Sequence, residues 1–282
     1  MPNTKITKDR FRNHYQYGKY IYLALIVVCG MLADILFTVT EYRAPDERKV
    51  DIELVGVFAN TEKAGPFEQA ALEYAQAYER ARDEAAGIDV NAEGYEASVQ
   101  EVNFLQMMYD MSGEDAYYDQ QRFMVTLAAN EGDIFLVSRE LLNSLVNQGL
   151  AVDLTPYIES GAINPGDRDL SRVTFNEWVE ENQPATGNKC IYALQADTLA
   201  GLWNEFEYYY KDKYMVLMVY SDNIDTSVAV MQWMIETFEV PLIVDGVTVT
   251  PAPTAETTPA PTAEPTAEPT VQPAATTGEA AN

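Results

Sequence analysis

Residues 133–158, DIFLVSRELLNSLVNQGLAVDLTPYI, switch between strand and helix patterns inside one short stretch. Residues 133–137 form a brief apolar run of strand composition. Ser138 follows where a side-chain oxygen can accept hydrogen bonds from the free N–H groups of a first helical turn. Leu141, Leu142, Leu145 and Val146 then recur at helical spacing and make one inward stripe. Gly149 stands where a closing helix needs a residue with positive φ. Residues 151–154 are extended and lead into Thr155-Pro156-Tyr157. A strand, a helix and a second strand in this order bury their apolar faces only as part of a layered α/β domain.

The flanking chain repeats the alternation. Residues 51–58 (DIELVGVF) read as a first strand, and 67–86 as a helix burying Phe67, Ala70, Ala71, Tyr74, Ala75, Tyr78 and Ala81. Residues 98–107 contain a second strand with Val99, Val102, Phe104 and Leu105. Residues 112–130 read as a helix opened by Ser112, with Asp115 three residues on in the manner of a capping box. The order β-α-β-α-β-α predicts a mainly parallel, covered sheet with right-handed crossovers. Residues 159–187 are polar and irregular, with a short element at 175–178. Residues 188–195 read as a strand, 198–209 as a helix and 214–220 as an apolar strand. Residues 225–238 read as an amphipathic helix burying Val228, Met231, Ile235 and Phe238, and 240–249 as a strand or hairpin turning at Asp245-Gly246.

Both ends differ from this body. Residues 1–19 hold five bases (Lys5, Lys8, Arg10, Arg12, Lys19) against one acid. Residues 20–39, YIYLALIVVCGMLADILFTV, are apolar for long enough to cross a bilayer as a helix. The basic head predicts a cytoplasmic N-terminus, an uncleaved signal-anchor and everything after Thr40 outside the cell. Asp34 lies in the outer half of this run. It reads either as a contact to a membrane partner or as a group near enough to the interface to hydrate. Residues 40–49 are a polar linker, and 50–250 form the α/β body. Residues 251–282 contain seven Pro and eight Thr, with PTAEPTAEPT repeating, and predict a disordered tail.

Charge narrows the function. The chain carries 18 bases and 44 acids, a net charge of −26, and the portion after the apolar run has 13 bases against 42 acids. Such a body repels phosphate backbones, which argues against nucleic acid as a partner. The single histidine, His14, lies in the basic head. The body therefore holds no Ser-His-Asp or Cys-His arrangement and no histidine-based zinc site. No phosphate-cradling Gly loop, dinucleotide fingerprint or nucleophile elbow appears, and no motif calls for a cofactor. The acidic loop at 110–115, with Asp119 beyond it, lacks the alternating ligands of a calcium loop.

DIFLV after a polar loop, a helix ending QGL, and VDLTPYI together resemble the extracellular solute-binding proteins of bacterial ABC importers, the sugar-binding type in particular. Residues 214–238, YMVLMVYSDNIDTSVAVMQWMIETF, are similar to that family's late strand, its S-x-N turn and the helix that packs on the first lobe. The resemblance implies a fold like a single lobe of a type II periplasmic binding protein. The span between the two echoes is too short for a complete second lobe. It also implies a ligand edge at the carboxyl ends of the strands, where open α/β sheets gather ligands. Asn60, Thr61, Ser138 and Arg139 are the polar candidates there. Each has a structural alternative: Thr61 and Ser138 as caps, Asn60 as a turn residue, Arg139 as a first-turn charge. Trp178, Trp203 and the Tyr208-Tyr209-Tyr210 run are candidates for stacking on a sugar ring, against the alternative of core packing. The expectation is a membrane-anchored, non-catalytic binding module for a small solute of carbohydrate class, associated with ABC-transporter subunits. The alternative is a structural or interaction protein whose reduced lobe docks a membrane-protein or cell-wall partner.

Overall fold

The computed structural model describes residues 8–40, 44–111, 113–177, 187–244 and 247–249. In chain order the elements are helix α1 (Lys8–Thr40), strand β1 (Lys49–Gly56), α2 (Gly65–Ala85), β2 (Glu101–Met108), α3 (Ala116–Ala128), β3 (Ile134–Ser138), α4 (Arg139–Asn147) and α5 (Thr155–Glu159). They continue as β4 (Thr174–Asn176), β5 (Lys189–Ile191), β6 (Leu194–Gln195), α6 (Gly201–Phe206), β7 (Lys213–Leu217), α7 (Ile224–Phe238), β8 (Leu242–Val244) and β9 (Val247–Val249).

The body is a five-stranded mixed sheet in the order β2-β1-β3-β7-β6. β1 pairs parallel with β2 and with β3. β7 runs antiparallel to β3, with Ser138 opposite Lys213, and β6 is antiparallel to β7. The fold is thus α/β with a mostly parallel central sheet and one reversed strand. Side chains alternate across it as strand geometry requires. Val50, Ile52, Leu54, Ile134, Leu136, Met215 and Leu217 join α2, α6 and α7 in one core, while Val55, Phe135, Val137, Tyr214 and Val216 join α3 and α4 in the other. Both faces are covered, which is why the strands read as apolar runs.

The strand–helix part of the 133–158 stretch folds as its pattern predicts, but residues 151–154 do not form the expected second strand. The Ser138 side chain accepts from Leu141 N at 3.5 Å, and the four apolar residues of α4 are buried. Gly149 has φ +69° beyond the end of α4. Ala151 bridges to Met218 at the edge of β7.

Four further expectations need correction. Ala70 and Ala81 are exposed, and α2 instead buries Glu79 beside Ala71 and Ala75. That carboxylate accepts from Val99 N (3.1 Å) and from the Thr226 hydroxyl (2.9 Å), so α2 is pinned between the β2 approach and α7. α3 begins at Ala116, and Asp115 makes no capping bond; Ser112 lies outside the described residues. α6 is shorter than 198–209 because Glu207 adopts φ +54° and ends it. α7 is buried on more than one face, since Thr226, Ser227, Val230, Trp233 and Met234 are buried beside the four expected residues. It lies between α2, the sheet and α6.

The middle region folds back onto the same sheet. Ile163 enters one core, and Val173, Cys190 and Tyr192 enter the other. Arg168 fastens it by donating to Gln195 O (3.0 Å), Pro165 O (2.9 Å) and the Thr198 hydroxyl (2.6 Å), and pairs with Glu239 at 3.4 Å. The linker also docks in part. Ala44 is buried, and its N–H donates to Glu101 Oε1 at 3.0 Å. α1 includes the segment Gly18–Thr40, long and apolar enough to span a membrane. The predicted tail and Asp245-Gly246 lie outside the described residues, and β8 and β9 pair as the expected hairpin.

Candidate functional site

The three parallel strands β1, β2 and β3 end at one edge of the sheet. β7, being reversed, begins there. An open pocket of about 410 Å³ lies at this edge. Gly56, Val57 and Phe58 at the end of β1 form one wall, and Tyr109 beyond β2 contributes to it. Trp203 of α6 and the turn Glu207-Tyr208-Tyr209 form the other, with Lys213 between them. Val57, Phe58, Trp203 and Tyr209 are each more than a third exposed, so the pocket presents apolar and aromatic surface to solvent.

Each wall is held from behind. The Tyr208 hydroxyl lies 3.0 Å from the carbonyl oxygens of both Val55 and Leu136, bridging β1 and β3 where their pairing ends at Leu54 and Leu136. Its burial raises the phenol well above the ordinary tyrosine range. The Lys213 ammonium donates to the same Val55 carbonyl at 2.8 Å. Burial lowers the Lys213 pKa from its ordinary 10.5. Gly56 lies against both groups, since a Cβ there would come into ordinary contact with the Tyr208 ring (3.4 Å) and the Lys213 nitrogen (3.6 Å). Phe206, at the base of the Trp203 wall, stacks among Phe67, Phe104 and Phe238 with ring centroids 5.1–5.7 Å away.

The expected site residues separate. Trp203 lines the pocket. Asn60 and Thr61 follow its β1 wall but act locally: Asn60 Oδ1 accepts from Glu62 N at 3.2 Å, and Thr61 opens a single 3-10 turn. The Asn60 N–H donates to Phe206 O at 2.6 Å, which ties this loop to α6. With its amide oriented to satisfy both groups, Gln106 of β2 donates to Ala59 O (2.9 Å) and accepts from Ala59 N (3.3 Å). Ser138 caps α4. Arg139 lies on the other side of the sheet, its guanidinium 5.0 Å from the Phe175 ring centre and 5.5 Å from that of Tyr214. Arg139 Nη1 is buried without a hydrogen-bond partner among the described residues. Trp178 lies outside the described residues. Asp34 lies on α1, where its carbonyl accepts from the Thr38 hydroxyl at 3.0 Å. Of the Tyr208-Tyr209-Tyr210 run, Tyr208 and Tyr209 line the pocket, Tyr208 from a buried position, whereas Lys213 is a residue that sequence reasoning missed. The available signal was a lysine set directly before an apolar strand.

A second polar constellation lies toward the opposite end of β1, on the Phe135 side. Asp51, Glu53 and Asp133 are all buried. Asp133 Oδ2 accepts from Asp51 N at 2.8 Å, Asn103 donates to Asp51 Oδ1 at 2.9 Å, and Lys49 pairs with Asp51 at 2.8 Å. Burial, with Asp51 close by, raises Glu53 to about 7. Burial likewise raises Asp133 to about 6, partly offset by bonds from Ser221 and the Asp51 N–H. These groups knit β1, β2 and β3 together. Among the described residues no cluster of three or more His, Cys, Asp or Glu is placed to hold a metal. Cys190 is buried, and its thiol is pushed up to about 11, chiefly by that burial, which keeps it protonated near neutral pH.

No family model matches this chain, and no curated protein matches it.

Proposed function

We propose that this protein is a membrane-anchored, extracytoplasmic binding module related to the solute-binding proteins of ABC importers, and that it takes a small carbohydrate at the carboxyl edge of its sheet. The observation that carries the reading is the way the two echoes meet. The late strand β7 enters the sheet directly beside β3, and the following helix α7 packs on α2 of the early half. That is the arrangement the resemblance implies for one lobe. The pocket adds support, since exposed Trp203 and Tyr209 flank an open cleft of a volume suited to a small ligand. In this reading α1 anchors the chain with residues 1–19 in the cytoplasm and the body outside. The test is a thermal-shift screen of the full chain, in a detergent without a sugar headgroup, against monosaccharides, oligosaccharides, amino acids and peptides. Ligands that bind the native state raise the midpoint by mass action. A dose-dependent rise with sugars alone is expected. A rise with none of them refutes the reading.

The exposed Val57, Phe58, Trp203 and Tyr209 favour a second reading, in which the same edge docks a membrane-protein or cell-wall partner. A single lobe leaves this apolar surface uncovered. Co-purification of a membrane subunit that is lost on Asp34→Leu distinguishes this reading from the first.

A further inference from the structure

The described bases that are not fully exposed fall into two groups. Arg48 pairs with Glu96, Lys49 with Asp46 and Asp51, and Arg168 with Glu239. Arg139 and Lys213 have no described carboxylate within 4.0 Å, although the chain holds 44 acids. Both stand at the carboxyl edge of the sheet, at the β3–β7 pair where Ser138 faces Lys213. Arg139 lies over aromatic rings on the far side. Lys213 lines the pocket, and the Val55 carbonyl is the acceptor seen for its three donors.

A desolvated ammonium without a counter-ion is costly to maintain, and a ligand anion offsets that cost. The cavity walls around Lys213 are aromatic and apolar, with Glu207, an exposed carboxylate, as the other charged lining residue. Low-polarity walls strengthen a charge-assisted hydrogen bond placed between them. From the Lys213 ammonium, which no described carboxylate reaches and which lines the same pocket as Trp203 and Tyr209, we infer that the pocket selects an acidic carbohydrate. The sugar ring stacks on the aromatic wall, and its carboxylate accepts from Lys213 Nζ. This rests on the carbohydrate reading above and adds the charge of the ligand to it.

Titration calorimetry on the full chain, in a detergent without a sugar headgroup, tests it with D-galacturonate and digalacturonate against D-galactose and galactobiose. The uronates are expected to bind about tenfold or more tightly than the neutral sugars. That preference should shrink at high salt. Lys213→Gln should erase it, and Lys213→Arg should keep it. Equal binding of acidic and neutral sugars by the wild type, or a preference that survives Lys213→Gln, overturns the inference and leaves the carbohydrate reading intact. Binding of neither class overturns both. Where Lys213→Gln does not fold, as judged by its thermal midpoint, the wild-type preference and its salt dependence decide the question.

Discussion

The buried carboxyl of Glu53 should make this protein more stable in mild acid than in mild base. Glu53 points from β1 into the Phe135 side of the sheet, where it is 6% exposed and has Asp51 and Glu131 among its neighbours. It titrates at about 7 in the fold, against an ordinary value of 4.5. The folded state therefore holds this proton more tightly than the unfolded chain. Below the unfolded value the carboxyl is neutral in both states and costs nothing. Between about 4.5 and 7 the folded state loses stability as pH rises, and above about 7 the whole penalty is present. Each pKa unit corresponds to about 1.4 kcal/mol, so the penalty at pH 8 is on the order of 3 kcal/mol. Asp133, raised from 3.8 to about 6, adds to the same slope over a lower window. Glu53→Gln removes the ionisation but leaves a buried amide to satisfy, which offsets about 1–2 kcal/mol. The net expectation is a gain of about 1–2 kcal/mol at pH 8, and no gain or a small loss at pH 5. Urea denaturation of the full chain in detergent, followed by tryptophan fluorescence at pH 5, 6, 7 and 8, measures both. A wild type whose stability rises from pH 5 to 8, or a variant with an unchanged pH slope, would refute the reasoning.

Other perturbations report on the frame around the pocket. Tyr208→Phe removes the hydroxyl shared by the Val55 and Leu136 carbonyls and should cost about 1–3 kcal/mol in the same denaturation assay. Gly201→Ala places a Cβ 2.9 Å from the Phe238 Cα and should destabilise by about 1–3 kcal/mol, with a lower thermal midpoint. Glu79→Ala leaves the Thr226 hydroxyl and the Val99 N–H without their acceptor and should cost at least about 2 kcal/mol, whereas Ala81→Ser on the exposed side of α2 should be nearly silent.

Much of the fold was legible where local chemistry and tertiary packing agree. The β3–α4 unit carries a capping serine, a four-residue apolar stripe and a closing glycine, and each does in the structure what its position predicts. Agreement fails where a partner outside the local window decides. Periodicity alone cannot show that Glu79 is buried, because the groups that satisfy it lie 20 residues away at Val99 and 147 residues away at Thr226. α7 reads as one-sided, yet it is buried between α2, the sheet and α6, so residues off its apolar stripe are covered too. The reversal of β7 depends on how residues 159–212 return to the sheet, which hydrophobic pattern does not encode. The site divides in the same way. An exposed aromatic such as Trp203 advertises itself by type, whereas Lys213 matters through its contact with Val55, 158 residues away. Ser138 serves as the cap its spacing suggests and is not among the residues that line the pocket.

The central claim is that a carbohydrate binds at the carboxyl edge of the sheet, against Trp203. A variant of the full chain with Trp178→Phe and Trp233→Phe leaves Trp203 as its single indole, since the chain contains three tryptophans. Titrating it with mono- and oligosaccharides, neutral and acidic, while recording its fluorescence tests the claim most directly. The account predicts a saturable change in intensity or wavelength with sugars and none with amino acids. A flat response to every sugar up to about 10 mM, from protein that still melts cooperatively, would contradict it.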